Sequence, residues 1–362
     1  MIIKASNVLI NREQVGPRYI TIENGIITDI SESGAATKEY SGTLIPGFVD
    51  MHCHGGGGFS FSSKNNSEIE KVIATHRSHG TTTQLASLVT EPIPVLKEQI
   101  TRLKDFVDSG EIAGIHLEGP YLSHEKCGAH DPQLLREPVL REVMELFEHG
   151  DGAISYITMA PELPGAIDCI EALVEHGVVV AIGHSNASAQ DARRAIEVGA
   201  SAVTHFWNAI PKESTPSITT EVFADPTMVL EIIHDGHHVE REKVAEILKG
   251  APGRVALITD AMSAAGASDG NYKIGQLDVV VKDGVARLVS NGSLAGSTLT
   301  MDSAFTRLIR DHHQSLAQAS YAASTLPAET LGITYVGEIA VGKAAHFVRV
   351  EGEEVKEVLR FS

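Results

Sequence analysis

His52 and His54 stand two residues apart in the stretch VDMHCHGGGG, residues 49–58. Alternate residues of a strand share a face, so both imidazoles can point at one spot. Imidazole nitrogen and carboxylate oxygen suit zinc and similar divalent ions. Alone, the pair is also compatible with two partly exposed turn histidines. The rest of the chain supplies partners. Later apolar runs carry His116 and end in Glu118, and others end in His184, in His205, in His234 with Asp235, and in Asp260. That joint pattern predicts a metal site able to activate water. The four glycines after His54 match neither G-x-x-x-x-G-K-[ST] nor a G-x-G-x-x-G that opens a helix, so they do not predict a phosphate cradle. Their simpler role is to let the backbone pass close to the site with φ > 0.

Eight short apolar runs must position these groups: TLIPGFVD, TTTQLAS, IAGIHLEG, ISYITMAPE, VVVAIGHS, SAVTHFWN, MVLEIIHDG and RVALITDAM. Most lack clean alternation, as parallel strands covered on both sides do. Segments of helical period lie between them, such as SEIEKVIATHRSHG and PVLKEQITRLKDFVDSG. The rhythm fits a (β/α)8 barrel, whose active sites sit at the C-terminal ends of the strands. An open doubly wound sheet would gather its ligand at one crevice and would not need polar residues at nearly every strand end. Both chain ends are β-rich, with ENG and EGEE as hairpin turns. The expected division is therefore residues 1–45 and 338–362 as one small β domain, around a catalytic barrel at 46–337.

The chain has 362 residues, is 43% hydrophobic and carries a formal charge of -18. So acidic a protein is a poor partner for nucleic acid or an anionic membrane surface. The apolar runs are too short to span a bilayer, and the first residues lack a signal-peptide core. The three cysteines, Cys53, Cys127 and Cys169, are sparse and odd in number, which points to reduced thiols in a cytoplasm.

The stretches LIPGFVDMHCHG, GIHLEGPYLS, KCGAHDP, TMAPE, VAIGHSNAS, THFWNAIP, HDGHHV, LITDAMSAAG and LAGSTLTMD follow one another along nearly the whole chain. In this order they resemble the N-acetylglucosamine-6-phosphate deacetylases of the amidohydrolase superfamily. The resemblance implies a metal-bearing α/β (β/α)8 barrel with a small β-sandwich domain formed by both termini. It also implies a cytoplasmic homodimer acting on an amino-sugar phosphate. Residue by residue, Glu118, His184 and His205 resemble the main metal ligands, and Asp260 resembles the catalytic acid/base. His52 and His54 match a pair that some members use for a second ion and others lack, so one or two ions per subunit, zinc being the expected metal, stay open. Ala129, His130, Asn208, Ala209, His238, Leu294, Ala295 and Gly296 resemble substrate contacts, and His130 is also suited to donate to a developing oxyanion.

The family usually carries an arginine for the sugar phosphate shortly after the counterpart of NAIP. Here the sequence reads KESTPS, with Ser214 at that place and Lys212 near it. Lys lacks the planar fork of Arg. An amidohydrolase for an unphosphorylated N-acetyl sugar or another N-acyl compound is therefore the alternative, and a non-enzymatic barrel scaffold the remote one. His346 also stands where the family usually has Asp. Cys127 reads as a neutral loop thiol. His79, His149 and His176 read as helix-end histidines. Trp207 fits either the sugar pocket or the packing between strands.

Overall fold

The computed structural model describes residues 1–212 and 217–361. Eight parallel strands build the barrel: β1 (Phe48–Asp50), β2 (Thr81–Leu88), β3 (Gly114–Glu118), β4 (Ile154–Met159), β5 (Val179–Ile182), β6 (Ala202–Val203), β7 (Val229–Ile233) and β8 (Val255–Ile258). They pair in chain order, each with the next. The ring closes where β8 meets β1. The Asp260 N–H donates to His52 O (2.8 Å), and Cys53 and Ala261 form a parallel bridge. Just inside, the Thr259 hydroxyl donates to the Asp50 carboxylate at 2.6 Å. Burial raises the Asp50 carboxyl to about 6, against the pull of the Thr259 hydrogen bonds.

Helices cover the outside because one face of each is apolar. Ile93–Asp108 buries Leu96, Ile100, Leu103 and Phe106, a spacing of three to four residues. Asn65 caps the helix Asn66–Ser78 by accepting from Ser67 N–H, and Ser188 with Asp191 forms a capping box on Ala189–Glu197. His79 and His176 are C-caps, and His149 sits in the last turn of Leu140–Gly150. His79 does more than cap. Its Nδ1 lies 2.9 Å from Asp302 Oδ2.

The terminal strands form a seven-stranded sheet. Within it the C-terminal hairpin, His346–Glu351 and Glu354–Arg360, pairs through its first strand with Lys38–Pro46. The ENG turn has φ of 49° at Asn24 and 73° at Gly25, as a type I′ hairpin requires. Two features depart from the sequence reading. The run TLIPGFVD is not one strand: Lys38–Pro46 belongs to the terminal sheet and Phe48–Asp50 to the barrel. An extra antiparallel sheet, Gly270–Ile274, Leu277–Lys282 and Val285–Leu288, follows β8. It has its own buried cluster of Val279, Val281, Leu288 and Ala295.

Candidate metal centre and active site

Glu118 ends β3 with both oxygens in use. Oε1 lies 3.0 Å from His184 Nε2 and 2.9 Å from His205 Nε2. Oε2 lies 3.1 Å from His54 Nε2, 3.4 Å from His130 Nε2 and 3.6 Å from His52 Nε2. Asp260 Oδ1 stands 3.3 Å from both His52 Nε2 and His54 Nε2. Two donor sets thus share one carboxylate: Glu118, His184 and His205, and His52, His54, Glu118 and Asp260. All six residues are buried.

The tautomers of three rings follow from their outer nitrogens. His54 Nδ1 faces the Ser87 carbonyl at 3.2 Å, His184 Nδ1 the Lys126 carbonyl at 2.8 Å, and His52 Nδ1 the Glu231 carboxylate at 3.3 Å. A carbonyl or carboxylate can only accept, so each Nδ1 carries a proton and each Nε2 faces inward. These inner nitrogens crowd one another: His52 and His54 Nε2 are 2.9 Å apart, and His184 and His205 Nε2 are 3.0 Å apart. Nitrogens so close to one another and to carboxylates need positive charge among them. Without a metal ion, the Glu118 and Asp260 carboxylates raise His52 and His54 above 6.5 against burial, and a metal ion would take the place of those protons. The donor chemistry therefore fits a divalent ion in each set.

Burial alone would raise the Glu118 carboxyl. The imidazoles of His52, His130, His184 and His205 outweigh it and hold that carboxyl well below its usual range. Asp260 behaves alike: burial is opposed by His52 and His54, and its carboxyl is held down, ionised and ready to accept a proton. Burial lowers His130 to about 4, so it is neutral. Its Nδ1 accepts from the Thr90 backbone N–H at 3.3 Å and lies 2.9 Å from the Thr90 hydroxyl. The remaining proton is on Nε2, on the side of Glu118.

His184, His205 and Asp260 each follow a barrel strand with left-handed backbone, at φ of 47°, 30° and 47°. Trp207 and Ala209, at 82° and 50°, continue the pattern. Such conformations are costly for residues with a Cβ and gather at functional sites.

A cavity of about 150 Å³ opens on this centre. Ala129, His130, Asn208, Ala209, His238, Leu294 and Gly296 line it together with Glu118, His184, His205 and Asp260. Gly128, Ile233 and Ile274 also line it and were not picked out from sequence. Ala295 does not reach the wall; it is fully buried in the cluster of the extra sheet. His238 is held by Asp235, whose Oδ2 accepts from Nδ1 at 2.7 Å. Burial notwithstanding, His238 lowers the Asp235 carboxyl to about 2.

Other sequence candidates lie apart. His116 is under the centre, between the Ser87 and Thr158 hydroxyls, each at 2.9 Å. His234 turns away and stacks on His312, with ring centroids 4.9 Å apart. Cys127 is a free, half-buried thiol, and Cys53 and Cys169 are also free. Trp207 packs beside Phe206 (6.0 Å) and carries Lys243 and Lys212 over its ring at 4.4 and 5.8 Å. Ser214 lies outside the described residues. Cys53 points to the opposite side of its strand end from the two histidines, where Asp50, Cys53 and His76 form a third donor group. Its atoms are already engaged: Asp50 with Thr259, and His76 Nε2 with Gly55 O at 2.8 Å and Cys53 Sγ at 3.2 Å. Sequence reasoning also missed Glu231, whose one signal was a lone acid inside the apolar run MVLEIIH.

Residues 43–360 match the model of the Amidohydrolase family. The chain is 34% identical over 317 residues to the N-acetylglucosamine-6-phosphate deacetylase of Vibrio furnissii, covering 86% of this chain and 79% of that protein. It is 31% identical to the N-acetylgalactosamine-6-phosphate deacetylase of Escherichia coli O157:H7, over 99% of this chain and 97% of that protein. Among solved structures, it resembles a mutant of the Mycobacterium smegmatis N-acetyl-D-glucosamine-6-phosphate deacetylase in complex with N-acetyl-D-glucosamine-6-phosphate. The TM-score is 0.95 at 37% identity, covering 99% of this chain and 97% of that one.

Proposed function

The chain belongs to the amidohydrolase family and is a hydrolase, and from that premise we propose that it removes the acetyl group of N-acetylglucosamine 6-phosphate, giving glucosamine 6-phosphate and acetate. The observation that carries this reading is the meeting of five imidazoles at the two oxygens of Glu118, with Asp260 beside His52 and His54, on the floor of a pocket.

Glu118, His184 and His205 would hold one divalent ion, and His52, His54 and Asp260 with the other Glu118 oxygen a second. Bound there, such an ion supplies an acidic water at neutral pH and polarises the amide carbonyl. Asp260, ionised by its surroundings, accepts the proton of the attacking water and passes it to the departing sugar nitrogen. The Nε2–H of neutral His130 donates to the oxygen on which negative charge develops. Ala129, Asn208, Ala209, His238, Leu294 and Gly296 hold the sugar against this machinery, with Ala295 supporting the wall from behind. Lys212 and Lys243, both over the Trp207 ring, are the proposed cations for the phosphate. Zinc is the proposed ion because nitrogen and carboxylate ligands suit it. The homodimer and the cytoplasmic location rest on the family resemblance. No described helix is long and apolar enough to cross a membrane. The division into residues 1–45 with 338–362 and a barrel at 46–337 is supported by the seven-stranded sheet that joins the two ends.

The galactosamine epimer is a second reading, because a relative named for it matches 99% of this chain. Acetate release from N-acetylglucosamine 6-phosphate, N-acetylgalactosamine 6-phosphate and N-acetylglucosamine decides. The account expects the first to have the highest kcat/KM. Preference for the second moves the assignment to the epimer. Equal efficiency on the first and third means that phosphate is not recognised.

A further inference from the structure

Glu231 is a fully buried carboxylate on β7 that the mechanism above does not use. It projects inward from β7 and is 0% exposed. Three donors meet it. The Tyr156 hydroxyl donates to Oε1 at 2.7 Å, the His205 backbone N–H donates to Oε2 at 3.0 Å, and His52 Nδ1 lies 3.3 Å from the same Oε2. No lysine or arginine forms a salt bridge with it among the described residues. A charge buried without a cation is costly, and fixed hydrogen bonds are what make it tolerable.

The carboxylate touches one member of each donor set: the ring of His52 and the backbone of His205. It reaches them from below, on the side away from the cavity. We propose that Glu231 is a positioning residue that fixes the His52 imidazole as its Nδ1–H form and so turns the Nε2 lone pair toward Glu118 and Asp260. This rests on reading the His52, His54, Glu118 and Asp260 cluster as an ion site. A free neutral imidazole shares its proton between the two nitrogens, and the Nε2–H form cannot ligate. An acceptor that only His52 Nδ1–H can satisfy removes that form and raises the basicity of the ligating nitrogen. His54 and His184 face weaker, neutral backbone carbonyls in the same position. Among the three fixed rings, His52 alone is backed by a carboxylate.

The test uses the full chain and zinc alone as the probe. Metal-free protein is titrated with zinc against a chromophoric chelator, unsubstituted and as Glu231→Leu, Glu231→Gln and Tyr156→Phe. Glu231→Leu should weaken the second equivalent by about 10- to 100-fold, the usual effect of losing such a partner, and the first equivalent much less. Glu231→Gln keeps an accepting oxygen and should stay closer to the unsubstituted protein. Tyr156→Phe removes a different hydrogen bond of the same carboxylate and should change neither equivalent. A merely structural role would instead weaken both equivalents together and track thermal stability. In 15N-histidine-labelled protein, metal-free and zinc-loaded, His52 should show a downfield, exchange-protected ring N–H that is lost in Glu231→Leu. Absence of that signal from the unsubstituted protein overturns the proposal even if Glu231→Leu does not fold. So does a folded Glu231→Leu with an unchanged second equivalent. If the unsubstituted protein takes up a single zinc yet shows the protected N–H, the two-ion reading fails and the positioning role stands.

Discussion

At the scale of single residues, the site is organised by what sits behind each ligand. Three of the four converging imidazoles have Nδ1 committed to an oxygen, so their Nε2 atoms are the ones left to face an ion. His52, His54, Glu118, His184, His205 and Asp260 could be picked out from sequence because they are polar residues at the ends of apolar runs. Glu231, Thr90 and Ser87 could not, because their roles depend on which strand lies beside which. The first prediction follows from the shared carboxylate. Replacing His52 and His54 together by Asn removes two nitrogen ligands from one set and leaves Glu118, His184 and His205 intact. Metal analysis of the fully loaded double variant should find one equivalent fewer than in the unsubstituted protein. An unchanged count would exclude the second site.

At the scale of elements, short strands are followed two residues on by a site residue with left-handed backbone, as at His184, His205 and Asp260. Gly128, in the loop after β3, has φ of 57°, and a Cβ there would lie 2.8 Å from His184 Cε1. Gly128→Ala should cost about 1 kcal/mol through its backbone conformation and weaken ion binding about tenfold by displacing His184. Thermal unfolding and a chelator titration would measure the two effects. The glycines of the opening stretch divide their work. Gly57 and Gly58 have positive φ, while Gly55 and Gly56 leave room for Phe59 O and the His76 ring. At the end of the helix Asn66–Ser78, the hydrogen bond to Asp302 raises His79 above its ordinary 6.5, against partial burial. A raised folded-state value means the pair stabilises fully below pH 6.5 and loses that contribution as pH rises through the folded value. The pair is partly exposed, so its worth is about 0.5 kcal/mol. His79→Gln should therefore lower Tm at pH 5.5 and have almost no effect at pH 8.5. The elements themselves were largely legible, since apolar runs and helical period mark them. The boundary inside TLIPGFVD was not, because a continuous apolar run does not reveal that its two halves join different sheets. Nor was the extra sheet after β8, because its short strands pair only with one another.

At the scale of the molecule, the barrel brings residues from β1, β3, β5, β6 and β8 to one end, and its closure between β8 and β1 sets Asp260 beside His52. The terminal sheet braces the entry to β1, since Lys38–Pro46 pairs with His346–Glu351 two residues before Phe48. Both ends of the chain therefore act on the strand that carries His52 and His54. A folded barrel with converging lone pairs should be stabilised by its ion. At an ion concentration 100 times its Kd the gain is about 2.7 kcal/mol, so chelation should lower Tm by about 5 °C, and zinc should restore it. The most direct test of the account is acetate release from N-acetylglucosamine 6-phosphate by zinc-loaded protein, unsubstituted and as Asp260→Asn. Asparagine keeps the size and hydrogen bonding of Asp260 but cannot carry the proton from water to the sugar nitrogen. The account predicts turnover reduced by about a hundredfold or more, with the ion at Glu118, His184 and His205 still bound. Turnover near that of the unsubstituted protein would contradict it.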